Sequence, residues 1–124
     1  MSQKTVLYVE DNEFNRKIIR QLLGSTTYRL LEATDGEQGV ETAIDTKPDV
    51  ILMDVQLPNL SGLDATRRLR QDPATAGIPI IVVTSFALSG DEHKAQEAGA
   101  SAYLAKPYSP RELLALIRKF APEA

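Results

Sequence analysis

Apolar residues along this chain follow two alternating rhythms. Short runs from Thr5 to Glu10, Tyr28 to Ala33, Val50 to Asp54, Ile80 to Thr84 and Ser101 to Ala105 are rich in branched and aromatic side chains and read as five strands. The third and fourth are almost wholly apolar, as central strands covered on both faces must be. Stretches of helical period stand between and after them. Phe14, Ile18, Leu22 and Leu23 form a stripe that ends at Gly24, and Asp35 can cap a helix carrying Val40 and Ile44. A third helix turns Leu63, Thr66 and Leu69 inward and leaves Arg67, Arg68 and Arg70 at its rim or in solvent. The fourth, opening at Gly90, Asp91 and Glu92, has almost no apolar stripe from His93 to Ala98 and is expected to pack weakly, which makes it a candidate moving part. In the fifth, Ser109 and Glu112 make a capping box around Pro110, ahead of Leu113, Leu114, Ile117 and Phe120. Five strand–helix pairs in alternation predict an α/β fold around a parallel sheet.

Composition changes this picture little but excludes much. At 124 residues, with no repeat, linker or low-complexity tract, the chain is expected to be one domain, 1–124, with no output domain. Its 43% hydrophobic and 25% charged residues are those of an ordinary globular protein, and a formal charge of -3 offers no general attraction to nucleic acid. The lack of cysteine rules out disulfides, thiol catalysis and thiolate-bound zinc. No run approaches the roughly 20 apolar residues of a membrane span, and the first residues do not form a signal peptide. A cytoplasmic protein with no membrane partner is the expectation.

The chemistry gathers where the strands end. Glu10 and Asp11 close the first run and Asp54 closes the third, so three carboxylates can converge at one sheet edge, and such a cluster asks for a cation. Thr84 closes the fourth run and Lys106 follows the fifth, adding a hydroxyl and an ammonium. Acids, cation, hydroxyl and amine together describe phosphoryl chemistry.

Glu10-Asp11-Asn12, Asp54 with Leu57-Pro58 and Ser61-Gly62, Thr84, and Lys106-Pro107 stand in an order that resembles the response-regulator receiver (CheY-like) domain, from about Lys4 to Phe120. The resemblance implies a flavodoxin-like doubly wound sheet of five parallel strands, order 2-1-3-4-5, with five helices and the acids at its topological switch point. It implies Mg²⁺ held by Glu10, Asp11, Asp54 and the backbone carbonyl of Gln56, with Asp54 as phosphoacceptor and Lys106 and Thr84 binding the phosphoryl group. It further implies a cis bond before Pro107, a switch aromatic at Tyr103, and modulation by Ser85 and Phe86, the latter shielding the acyl phosphate from water. The partners implied are a sensor histidine kinase or histidine phosphotransfer protein upstream and a protein bound through the fourth helix, fifth strand and fifth helix downstream. Chemistry would be confined to the chain's own phosphorylation and dephosphorylation, so it would not be an enzyme in the ordinary sense. Gln56-Leu57-Pro58 with Ser61-Gly62-Leu63, and Thr84 to Ala87 with Gly90-Asp91-Glu92, resemble stand-alone cell-division and polarity regulators of the DivK kind, although receivers of hybrid kinases acting as phosphorelay intermediates share much of this.

Three other classes are weaker. A phosphohydrolase with an aspartyl nucleophile and Mg²⁺ wants a second acid two residues on, where this chain has Gln56. A flavodoxin-like carrier would place a flavin phosphate against Glu10 and Asp11, which repel it. An inactive receiver would lack part of the acceptor set, and all of it is present. His93, the only histidine, reads as an exposed helix residue.

Overall fold

A computed structural model describes residues 3–84 and 91–123. Strands β1 (Thr5–Val9), β2 (Arg29–Ala33), β3 (Val50–Asp54), β4 (Ile80–Thr84) and β5 (Ala102–Ala105) alternate with helices α1 (Glu13–Leu23), α2 (Gly36–Thr46), α3 (Gly62–Gln71), α4 (Asp91–Ala98) and α5 (Pro110–Phe120). The strands form one parallel sheet in the order β2-β1-β3-β4-β5. The chain order reverses between β1 and β3, which lie side by side, so the turns that leave these two strands share one crevice.

Because successive strand residues face opposite sides, the sheet divides its apolar residues between two cores. Val6, Tyr8, Val50, Leu52, Ile81 and Val83 meet Ile19 and Leu23 of α1 and Leu113 and Ile117 of α5. Leu7, Val9, Ile51, Met53, Ile80 and Val82 meet Val40 and Ala43 of α2, Ala65 and Leu69 of α3, and Ala95 of α4. β3 and β4 are buried throughout, which is why they read as continuous apolar runs.

The caps follow the sequence closely. The side chains of Asn12, Asp35, Ser61 and Ser109 each accept from the backbone N–H three residues on, and at Ser109 the reciprocal bond from its own N–H to Glu112 completes the capping box. Strand ends shift by a residue. Glu10, Tyr28 and Ser101 lie just outside β1, β2 and β5, although Glu10 and Ser101 still hydrogen-bond the neighbouring strand, to Ala33 and Ile80.

Two inward faces differ from the expected ones. α1 buries Ile19 and Leu23, while Phe14 is 70% and Ile18 41% exposed. At about 100° per residue Phe14 lies some 140° around the helix from Ile19, so the expected stripe reaches the core only at its C-terminal end, where Leu22 packs against it and Leu23 is buried. On α3 the buried positions are Ala65, Thr66 and Leu69, with Leu63 at the margin. Arg67 and Arg68 are exposed, but half-buried Arg70 donates to the carbonyls of Gly99, Ala76 and Ile78 and to Ser101 Oγ, tying α3 to the turn after α4. α4 packs through the small side chains of Ala95 and Ala98, in keeping with its missing stripe; its expected first residue, Gly90, lies outside the described residues.

Gly62 joins this framework to the end of β3. Its N–H donates to Val55 O, and a Cβ there would stand 1.8 Å from Asp54 O. Since that neighbour is backbone, Gly62→Ala is expected to cost about 2 kcal/mol or more in urea unfolding and to displace the Asp54 amide resonance. Gly77→Ala, with no atom within 4 Å of the new methyl group, is the control and should be near neutral.

Candidate functional site

The C-terminal ends of β1, β3 and β5 deliver Glu10, Asp54 and Lys106 to one point. Glu10 is 1% exposed and Asp54 6%, which leaves two carboxylates inside the protein beside a lysine only 17% exposed in its side chain. Lys106 Nζ lies 3.1 Å from Glu10 Oε1 and 3.4 Å from Asp54 Oδ2, bridging the acids. Asp54 Oδ1 accepts from the Gln56 N–H at 3.0 Å. Glu10 Oε2 accepts from the Asn12 N–H at 3.3 Å, and Oε1 also accepts from Tyr8 Oη and Asn15 Nδ2, each at 3.2 Å. Arg16 on α1 donates to the Glu10 carbonyl at 2.9 Å and holds the turn after β1 from behind. The Lys106–Pro107 peptide bond is cis.

The burial that fits these residues to their place also sets their protonation. Burial, reinforced by hydrogen bonding and repulsion from Glu10, holds the Asp54 carboxyl up to about 7. Burial pushes Glu10 up as well, but the hydrogen bond from Asp54 and the charge of Lys106 outweigh it and bring Glu10 down to about 2. Burial works against the Lys106 ammonium, yet Asp54 and Glu10 together keep its pKa above the ordinary lysine value. The two acids are thus driven apart, Asp54 toward its neutral form and Glu10 toward its anion, with the Lys106 ammonium beside both.

A divalent cation fits this donor set. One carboxylate oxygen from each of Glu10, Asp11 and Asp54 lies within 4.8 Å of the others, and Asp11 is exposed at the mouth, so the group is open to water on one side. All-oxygen donors with room for several waters suit Mg²⁺. Lys106 and the shared proton partly balance the same charge in the bare protein.

Every described residue singled out from sequence sits at or near this edge. Thr84 ends β4, buried, and its carbonyl accepts from the Lys106 N–H, joining the end of β4 to the turn that carries the lysine. Tyr103 lies half-buried on β5, opposite Val82 and against the core beneath α2, α3 and α4. Ser85 and Phe86 lie outside the described residues. Tyr8, Asn15 and Arg16 were not anticipated. Tyr8 reads as a core aromatic, and only its spacing of two from Glu10, which puts both on one face of β1, hints at more.

Comparison with known proteins agrees with this geometry. Residues 6–118 match the model of the response regulator receiver domain, and the chain belongs to that family. Among curated proteins it is 39% identical over 121 residues to the polar-differentiation response regulator DivK of Brucella anthropi, covering 98% of both chains, and equally to that of Brucella melitensis. Among solved structures it resembles the receiver domain of a sensor histidine kinase from Pseudomonas aeruginosa PAO1, which has a magnesium ion in its active-site cleft, at 39% identity and a TM-score of 0.88, covering 96% of this chain and 98% of that one. A putative response regulator from Chloroflexus aurantiacus is 30% identical with a TM-score of 0.91, again over 96% of this chain and 98% of that one. The protein is thus the receiver of a two-component signalling system, and its cluster of Glu10, Asp11 and Asp54 has the donors to hold a divalent cation. Such domains act with histidine kinases and downstream effectors. Among the described residues no helix is long and apolar enough to cross a membrane.

The protonation pattern has a measurable consequence. The Asp54 carboxyl rises from 3.8 unfolded to about 7 folded, so between those pH values the native state binds the extra proton and stability falls as pH rises. Glu10 acts oppositely: its contribution is present above about 4.5 and is lost as pH falls toward 2. In urea unfolding with a chelator present, Asp54→Asn should remove the first slope and gain roughly 2–4 kcal/mol on wild type between pH 5 and pH 8. Parallel curves for the two proteins would show that Asp54 does not carry the proton.

Proposed function

We propose that this chain is a stand-alone receiver that takes a phosphoryl group from a phosphohistidine onto Asp54 and passes the change to a protein partner. The observation that carries this is the single ammonium of Lys106 set between two buried carboxylates at the switch point of the sheet. The match over 98% of the length of the DivK proteins supports a receiver of that kind. The absence of a spanning helix among the described residues is compatible with action in the cytoplasm.

Asp54 must shed its proton to act as a nucleophile, since a carboxyl held up to about 7 is partly neutral in the bare protein. Glu10, Asp11, Asp54 and the Gln56 carbonyl would hold Mg²⁺, whose charge favours the ionised form and neutralises the phosphoryl oxygens. One Asp54 oxygen then bonds to phosphorus as the bond to the histidine nitrogen breaks, and the imidazole keeps that electron pair. Lys106 is free to turn from the acids to the phosphoryl oxygens, while the Thr84 hydroxyl donates to one of them. Tyr103, behind Thr84 on the neighbouring strand, would follow that movement, and α4, β5 and α5 would present the changed surface. The resemblance would assign the lifetime of the acyl phosphate to Gln56 and Phe86, an aromatic that could shield it from the hydrolytic water, and a modulating role to Ser85; Ser85 and Phe86 lie outside the described residues.

The donor's approach is marked by exposed apolar side chains. Phe14 and Ile18 stand on α1 beside a groove of about 280 Å³ lined by Tyr8, Asn15, Ile18, Lys106, Pro107, Tyr108 and Pro110, which opens next to the acceptor. Uncovered apolar surface of this kind fits a helical face of the phosphohistidine protein.

Acetyl phosphate with Mg²⁺ should add one phosphoryl mass, lost in Asp54→Asn and with a chelator; labelling that survives either removes the reading. Phe14→Ala should leave labelling by acetyl phosphate within about twofold but slow transfer from a phosphohistidine protein about tenfold, near 1.4 kcal/mol. Equal slowing with both donors would place Phe14 in the folding of the site and not in docking. Lys106→Ala and Thr84→Ala, once labelled, should lack the wild-type amide shifts across α4 and β5; a full shift pattern in either variant would refute its role.

A further inference from the structure

Asp11 reaches the mouth of the site on a short side chain from the turn between β1 and α1, so the backbone of that turn decides where its carboxylate stands. The Glu10 carbonyl and the Asp11 N–H belong to one planar peptide unit, and fixing the first fixes the direction in which Asp11 leaves it. Arg16 does the fixing. Its Nη1 donates to Glu10 O at 2.9 Å, while Nε lies 3.2 Å from Glu32 Oε1 on β2 and Nη2 pairs with Glu13 on α1. The side chain is only 12% exposed, and a planar guanidinium that addresses three acceptors cannot turn toward one without losing another. Arg20, one helical turn further on, is an exposed counterpart. It pairs with the same Glu13 and Glu32, and among the described residues its guanidinium bonds only those two carboxylates.

We propose that Arg16 is a positioning residue for the divalent cation: braced by Glu13 and Glu32, it pins the peptide between Glu10 and Asp11 and so holds Asp11 where a cation shared with Asp54 can take it. This rests on the reading of the acid cluster as a cation site. Mg²⁺ demands near-ideal octahedral geometry at short distances, so a carboxylate released to wander is a poorer ligand even though it remains present. Charge alone makes the opposite prediction. Loss of an arginine near the acids, with Glu13 and Glu32 left short of a partner, draws a divalent cation more strongly. Arg16 and Arg20 carry the same charge on the same helix and share both partners, but only Arg16 touches the turn.

The test is an amide NMR titration of the whole chain with Mg²⁺ on wild type, Arg16→Gln, Arg16→Lys and Arg20→Gln, alongside urea unfolding of each. Arg16→Gln should raise the Kd for Mg²⁺ about tenfold, the lower end of what outer-shell partners of a metal ligand are worth. Arg20→Gln should leave it within twofold or lower it. A contribution to folding alone would shift the urea midpoint and leave the Kd in place, so a Kd in folded Arg16→Gln within twofold of wild type, or tighter, overturns the proposal. An equal weakening in Arg20→Gln overturns it as well, because the salt-bridge network and not the bond to the turn would then be responsible. Should Arg16→Gln fail to fold, Arg16→Lys, which keeps the charge but not the fork, decides by the same measure: more than twofold weaker supports the role and within twofold removes it. If the wild-type chain shows no Mg²⁺-dependent shifts at Asp11 and Asp54, the cation reading itself falls; if it binds and only the Arg16 variants stay unchanged, only the role of Arg16 falls.

Discussion

Two carboxylates withdrawn from water beside a single ammonium are the constraint around which this molecule is organised. Each buried anion carries a desolvation cost of several kcal/mol that is offset only by close partners. Lys106 partners both acids, the backbone N–H groups of Asn12 and Gln56 and the side chains of Tyr8 and Asn15 add hydrogen bonds, and burial raises the Asp54 pKa so that it more readily keeps a proton. A group that is proposed to take Mg²⁺ and a phosphoryl group needs acids that outnumber the ammonium beside them, and here Glu10 and Asp54 share Lys106.

The fold exists to place that shortage at a surface that can be reached. Parallel order puts every strand's carboxyl end at one edge, and the reversal between β1 and β3 opens a crevice there without any special loop. The backbone of Gly62 passes so close to the Asp54 carbonyl that no larger residue fits, and the Lys106 N–H bonds to Thr84 O, so Asp54 and both proposed phosphate contacts are fixed by main-chain geometry. The rest of the chain is unevenly fastened. α5 enters with a full capping box and two buried aliphatic residues, while α4 rests on two alanines and is moored at its far end by Arg70 through Gly99 and Ser101. A helix whose described buried residues are small alanines offers little apolar area to hold it, which places it toward the low end of local stability, where switching segments are found.

The α1 surface shows how apolar residues can serve two ends on one helix. Ile19 and Leu23 face the core, while Phe14 and Ile18 stand outside it, Ile18 lining the groove that also holds Lys106. Exposure of a phenylalanine has a cost in solubility, and the proposed docking of a phosphohistidine protein on α1 would give that cost a use.

Much of this was written in the sequence, because strand and helix periods, caps and strand-end chemistry are local properties. The five pairs, the caps at Asp35 and Ser109, and the gathering of Glu10, Asp11, Asp54, Thr84 and Lys106 at strand ends could be read from spacing and residue type, since side chains at the ends of parallel strands must share an edge. Tertiary structure alone decided which way each helix turned. Of the stripe Phe14, Ile18, Leu22 and Leu23, the last two reach the core and the first two do not, and only the packing of α1 against the sheet beside α5 turned Ile19 inward in their place. The same holds for Tyr8, Asn15 and Arg70, whose hydrogen bonds join segments that local pattern treats as separate. Periodicity reports the surface that a segment can bury, whereas the direction and partners of a polar atom depend on neighbours brought close by the fold.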